Sequence, residues 1–263
     1  PVIAWRRATW SNLKKNFTKP VIAAAVAAAG LWPVVPLTSR SEIYSYVAFI
    51  LCVFVMSSVV IEFLKGARAR SELHQEIFRE ALASLIWRNK RRYGGYIVHI
   101  GVVLIFAGIA GSQSYSVHKE KHLAIGETLE IRDYTFKYEK LVAIEATNVK
   151  TRVIARLGVF KDGKRVWTAH PEKEFYKGQN QPVSEVDVRS NFIQDIYVIL
   201  ADFNEDESAT FKVYLNPMVS WLWTGGWIIA LGAVVAVWPD RLEQRRRIGR
   251  MKKQETVFAP AQE

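Results

Sequence analysis

From residue 94 to residue 113 the chain reads GGYIVHIGVVLIFAGIAGSQ, an otherwise apolar run with a single histidine, His99. A helix of about 20 apolar residues matches the hydrocarbon core of a bilayer. A backbone placed in lipid must also satisfy its own hydrogen bonds, which leaves an α-helix as the fold of this stretch. An ionisable group at such a depth is a functional site by default. The basic cluster Arg88, Lys90, Arg91 and Arg92 stands just before it.

Three other apolar runs occupy residues 20–37, 43–64 and 217–238, and the first closes on Pro33 and Pro36. Four membrane helices are therefore expected. The net charge of +11 is distributed unevenly. Residues 1–19 carry five basic and no acidic side chains, residues 65–93 eight against three, and residues after 239 seven against four. Residues 114–216 carry fifteen against sixteen. Alternate polar segments hold the basic excess, as the positive-inside rule requires of a four-span protein with both termini cytoplasmic. Topology thus accounts for the basicity, and no nucleic-acid partner is expected. Trp221, Trp223 and Trp227 near one end of the last span and Trp238 at the other fit interfacial anchors.

The expected organisation is a multi-pass α-helical membrane protein with an inserted, mainly antiparallel β domain. Residues 1–19 form a cytoplasmic basic segment and 20–64 the first two membrane helices. Residues 65–93, with apolar positions at spacings of three and four from Leu73 to Ile86, form an amphipathic cytoplasmic helix. Residues 94–113 carry His99, 114–216 the outer β domain, 217–238 the last span and 239–263 a cytoplasmic tail. Strands are predicted at 128–131, 134–138, 152–160, 165–169, 194–201 and 210–215. Asp162 and Gly163 signal a hairpin turn, and residues 204–208 (NEDES) a longer one. The only cysteine, Cys52, lies in the second span, so the outer domain has no thiol. Because the chain opens on Pro1 and a basic segment, it is expected to be the C-terminal part of a longer membrane protein.

A neutral imidazole at position 99 can ligate haem iron, relay protons or hydrogen-bond a neighbouring helix. Gly94, Gly101 and Gly108 recur every seven residues and offer one smooth face to another helix. Gly95 lies one turn before His99 on its own side, where a missing side chain leaves room for a flat macrocycle. His118 and His122 have the four-residue spacing of a helical metal pair, but their surroundings lack a helical apolar period and no third ligand is evident. His170, before a proline, reads as a loop residue. Glu62, near the cytoplasmic end of the second span, is expected to snorkel or to pair with Lys65. No nucleophile, phosphate-loop or paired-carboxylate motif stands out.

The segments YGGYIVHIGVVLIFAGIAGSQSYSV, GETLEIRDYTFKYEK, EKEFY, SEVDVRSNFIQDIYVIL and NPMVSWLWTGGWIIALGAVVAV resemble, in order, the C-terminal part of the CcmF/NrfE family, the large membrane subunit of the bacterial cytochrome c haem lyase. The likeness runs from about residue 5 to residue 241. It implies a protein of the bacterial inner membrane with its large loop periplasmic. His99 takes the role of one axial ligand of a transmembrane b-type haem, with Gly95 as the clearance beside it. That haem would pass electrons from quinol to a second, substrate haem delivered by a CcmE-type chaperone, for attachment to the CXXCH cysteines of apocytochrome c. A CcmH-type thiol-handling subunit is the further partner implied. A domain that meets substrate thiols has reason to lack its own. The family's Trp-rich motif, its two extracytoplasmic ligand histidines and the second transmembrane ligand match nothing in this chain, and Asn216 and Ser220 stand where basic residues are expected. The second ligand then belongs to an upstream part or to a split partner chain, and this chain alone is not expected to catalyse haem attachment. The alternative is a non-catalytic membrane scaffold in which His99 is structural.

Overall fold

The computed structural model describes residues 10–35, 37–147, 150–178 and 181–239. Most of the expected basic N-terminal segment and C-terminal tail therefore lie outside the described residues. Five helices and ten strands follow in the order α1 (Trp10–Leu31), α2 (Arg40–His74), α3 (Phe78–Arg88), α4 (Lys90–Tyr115), β1 (Val117–Leu123), β2 (Thr128–Ile131), β3 (Tyr134–Thr147), β4 (Lys150–Lys161), β5 (Lys164–Ala169), β6 (Glu172–Tyr176), β7 (Val183–Glu185), β8 (Asp187–Ser190), β9 (Gln194–Phe203), β10 (Ala209–Pro217) and α5 (Val219–Val237). Among the described residues α2, α4 and α5 are long and apolar enough to cross a membrane. The fold is thus helical membrane spans with an inserted β domain, as expected.

The helix bounds differ from the sequence reading in instructive ways. Only residues 20–31 of the first apolar run are helical, and α1 starts ten residues earlier, includes Lys14, Lys15 and Lys19 and carries Pro20 inside it. The second span does not stop at Leu64; α2 continues for 35 residues until Gln75 adopts φ 52°, a left-handed terminator. The single amphipathic helix expected over 65–93 is therefore divided among the end of α2, the 11-residue α3 and the start of α4. Arg70 closes the α2–α3 corner by donating from Nε and Nη2 to both oxygens of Glu76, at 2.9 and 2.8 Å. That bidentate pair holds a turn that no local propensity specifies.

Two compact units divide the chain, with breaks at Ala27/Ala28, Cys52/Val53, Val103/Leu104 and Thr224/Gly225. One contains α3 and one end of each long helix. The other contains the opposite helix ends and all ten strands. In this second unit two antiparallel sheets, ordered β1-β10-β9-β8 and β2-β3-β4-β6-β7, share one core, and β5 pairs beside β6 along β4. Period-two alternation builds that core. Ile196, Val198 and Leu200 of β9 and Phe211, Val213 and Leu215 of β10 point inward against Phe136, Tyr138, Leu157 and Val159 of the other sheet. The predicted hairpin turn is real, since Asp162 and Gly163 both take positive φ, at 50° and 74°, as a two-residue type I′ turn requires. Asn204 N donates to Ser208 O at 2.8 Å and closes the second predicted turn.

Candidate functional site around His99

His99 stands nine residues into α4, half-buried, with Nδ1 2.6 Å from the carbonyl oxygen of Gly95. A carbonyl only accepts, so Nδ1 is the donor and carries the proton. In the neutral ring that leaves Nε2 with its lone pair, the tautomer a metal-ligating histidine uses when its other nitrogen is tied to a backbone carbonyl. A Cβ added at Gly95 would meet nothing within 4 Å. Phe106, seven residues beyond His99 on the same helical face, is exposed. This face offers what a flat, apolar, iron-centred ligand would need, one imidazole and no side chain one turn below it.

The opposite face of α4 belongs to α5. A Cβ on Gly94 would lie 2.6 Å from Ala236 N, one on Gly101 2.5 Å from Gly225 O, and one on Gly108 2.5 Å from Leu222 Cδ1. From the other side Gly232 approaches Val98 N to 2.7 Å on the same measure. The seven-residue glycine repeat therefore serves helix contact, as its spacing predicts. At 100° per residue His99 is turned about 160° from Gly101, so packing against α5 leaves the imidazole facing away.

Near the start of α4 the residues assemble a polar cluster that sequence reasoning saw only in part. Glu62 pairs with Lys65 at 3.7 Å as expected, and more closely with Arg92 Nη2 at 2.7 Å. Arg92 Nε donates to the Tyr96 hydroxyl at 3.1 Å, and that hydroxyl donates to Glu62 at 3.5 Å. Tyr96 is fully buried, and the rings of Phe63 and Tyr93 pack around it. Thirty residues separate Glu62 from Arg92, so no local motif announced the pair.

The remaining histidines do not form a metal site. His118 and His122 lie on strand β1, where four residues span about 13 Å, too far for both rings to reach one ion. His118 stacks on its cross-strand partner Tyr214 with ring centroids 5.5 Å apart, and His122 Nδ1 lies 3.0 Å from Thr210 Oγ1. The backbone N–H of His170 donates to Asp187 at 2.5 Å from a loop before β6. Among the described residues no group of three or more His, Cys, Asp or Glu side chains could hold a metal ion. Asn216 faces Asp195 across the β9–β10 ladder, and Ser220 sits in the first turn of α5 with its hydroxyl buried and unpartnered.

The larger sheet carries an ion-pair network between β4 and β6: Lys150 with Glu174, and Arg152 with Glu172 and, at 3.6 Å, Glu174. The hydrogen bond from Lys150, then that from Tyr176, holds the Glu174 carboxyl below the ordinary carboxylate range, while the same carboxylate raises Lys150. In the core, burial pushes the Tyr138 phenol up to about 12. These groups are structural, since each partner is consumed within the ladder or the core.

Residues 114–217 match the family model described as the CcmF C-terminal β-sandwich. The chain is 29% identical over 199 residues to the cytochrome c-type biogenesis protein CcmF of Pseudomonas aeruginosa, covering 76% of this chain and 29% of that protein. It is 26% identical to CcmF of Haemophilus influenzae, over 92% of this chain and 36% of the relative, and 27% identical to NrfE of the same organism, over 68% and 30%. The solved structure of a cytochrome c haem lyase CcmF superposes with a TM-score of 0.67 at 22% identity, covering 90% of this chain and 37% of that one. The chain thus spans about a third of the length of these relatives.

Proposed function

We propose that this chain, which resembles the C-terminal part of CcmF and NrfE proteins in sequence and fold, acts in bacterial cytochrome c maturation and offers His99 Nε2 as one axial ligand of a b-type haem between membrane helices. The observation that carries this reading is the Nδ1 to Gly95 carbonyl bond, which commits one ring nitrogen and leaves the lone pair of the neutral ring on Nε2. Gly95 gives the macrocycle its clearance. A second haem ligand would come from outside this chain, from an upstream part or a split partner. Bound there, a haem would supply one-electron transfer between quinol and the substrate haem. His99 contributes field strength and a fixed ring plane, and the α4–α5 glycine contact fixes the helix that presents it.

The outer domain, periplasmic in this reading by the loop charge balance, is the docking platform for the CcmE-type chaperone, the CcmH-type subunit and apocytochrome c. It has no thiol to compete with the substrate cysteines. The test is the optical spectrum of the assembled protein. With its partner portion present it should show a low-spin b-type haem, and His99→Ala should lose the haem or make it five-coordinate, with partial rescue by imidazole. An unchanged bis-histidine spectrum in His99→Ala would overturn the ligand role and leave the scaffold reading.

A further inference from the structure

The turn between β8 and β9, residues Asn191 to Ile193, carries an apolar tip. Ile193 is 75% and Phe192 58% exposed, although large hydrophobic residues at a two-strand turn are costly in water. The turn is also rigid: Asn191 Oδ1 accepts the backbone N–H groups of Ile193 and Gln194 at 2.8 and 2.9 Å. Its position is set by α5. Met218 N donates to Ile193 O at 2.8 Å, Trp221 Nε1 donates to Phe192 O at 2.9 Å, and the Phe192 and Trp221 rings lie 5.4 Å apart. Strand β10 ends at Pro217 and α5 begins at Val219, so nothing but Met218 separates the sheet from the helix.

The length of α5 then fixes depth. Its 19 residues extend about 28 Å at 1.5 Å per residue, against a hydrocarbon core of about 30 Å. With no residue to spare, the first turn of α5 lies at the edge of the core, and the tip tied to that turn lies there too. Trp223, 74% exposed beside it, is the side-chain type enriched at that level. We infer that Phe192 and Ile193 form a lipid anchor that inserts into the outer-facing headgroup and acyl boundary and holds the β domain against the bilayer beside α5. The occupant of this surface is lipid, because the tip is continuous with a helix that is apolar, long enough to cross a bilayer and exposed along most of its length.

The experiment places a single environment-sensitive NBD label on the full chain in phosphatidylcholine and phosphatidylglycerol vesicles. Ile193→Cys is made in a Cys52→Ser background, with Lys164→Cys at the exposed start of β5 as the water reference and Phe192→Cys as a second tip position. The expected result is blue-shifted emission at both tip positions relative to Lys164→Cys, with most of the tip intensity lost when the acyl chains are brominated near the headgroup. Emission at 193 like that at 164 overturns the anchor. So does a blue shift that brominated lipid fails to quench, which would mean a protein surface covers the tip. If Phe192→Cys disturbs folding through its Trp221 contact, Ile193→Cys, whose side chain is the more exposed, decides alone.

Discussion

A glycine carbonyl 2.6 Å from His99 Nδ1 sets the chemistry of that ring, and two neighbouring glycines on the same helix should separate packing from haem binding. Gly101→Leu forces a side chain into the backbone of α5, where even a Cβ comes within 2.5 Å of Gly225 O. Overpacking of this kind costs about 1–3 kcal/mol, so the variant's unfolding midpoint in detergent should fall whether or not haem is present. Gly95→Leu meets open space. It should leave the haem-free midpoint unchanged and weaken haem retention, read from the Soret band after desalting; equal retention would remove Gly95 from the site. The Glu62 and Arg92 pair tests a different point. Arg92 is largely exposed and Glu62 is not, at 55% and 13% of the side chain. Solvent screening at Arg92 limits the pair, and a double-mutant cycle with Glu62→Gln and Arg92→Gln should return a coupling of about 1 kcal/mol. A coupling several-fold larger would mean the cluster is sealed from water by the bilayer.

Among the strands, the β4–β6 ion pairs should dominate the acid sensitivity of the outer domain. The Glu174 carboxyl is held low, so its contribution is complete above the unfolded value of about 4.3 and is lost as pH falls through the lower folded value. Near-UV circular dichroism should therefore show the domain's midpoint dropping below about pH 4, and Glu174→Gln should start lower at pH 7 and decline less steeply. Tyr138 acts at the other end: its raised phenol favours the folded state up to the unfolded value of about 10, and the benefit goes as pH rises toward 12. The same residues explain what sequence could show. Strands β2, β4, β5, β9 and β10 were predicted within a few residues because they alternate against one core. Strand β1 was missed: VHKEKHL buries only Leu123 fully and lies at a sheet edge, so no alternation survives. Strand β6 was missed because its buried position is Glu174, whose burial depends on partners on another strand. His99 is legible as a lone histidine in an apolar run, whereas Tyr96 and Arg92 become a cluster only because α2 brings Glu62 beside them.

At the scale of the whole molecule, the position of α1 decides how many times the chain crosses the bilayer. Its composition is ambiguous, since lysines occupy its first half and only α2, α4 and α5 pass as apolar spans. Its contacts are less so. Phe17 stacks on Phe54 at 5.8 Å, Lys65 Nζ donates to Asn16 Oδ1 at 3.2 Å, and Tyr46 OH donates to Ala28 O at 2.7 Å. Rising numbers on α1 thus meet falling numbers on α2, the signature of an antiparallel pair along most of the length of α1. A helix paired so with a membrane span crosses with it, and lysines 14, 15 and 19 can reach the cytoplasmic interface by extending their stems. Pro20 lies mid-helix, where a membrane environment tolerates the lost hydrogen bond better than water does. If α1 crosses with α2, the expected topology has four crossings, with Arg70 near the cytoplasmic side and Leu37 and the β domain outside. Green fluorescent protein fused ahead of Pro1 should fluoresce, and alkaline phosphatase fused after Leu37 or Lys164 should be active while a fusion after Arg70 is not. A dark N-terminal fusion with an active phosphatase at Leu37 would reduce the chain to three crossings, with α1 held against α2 from the outer side, and would require the basic residues of α1 to be explained by something other than the positive-inside rule.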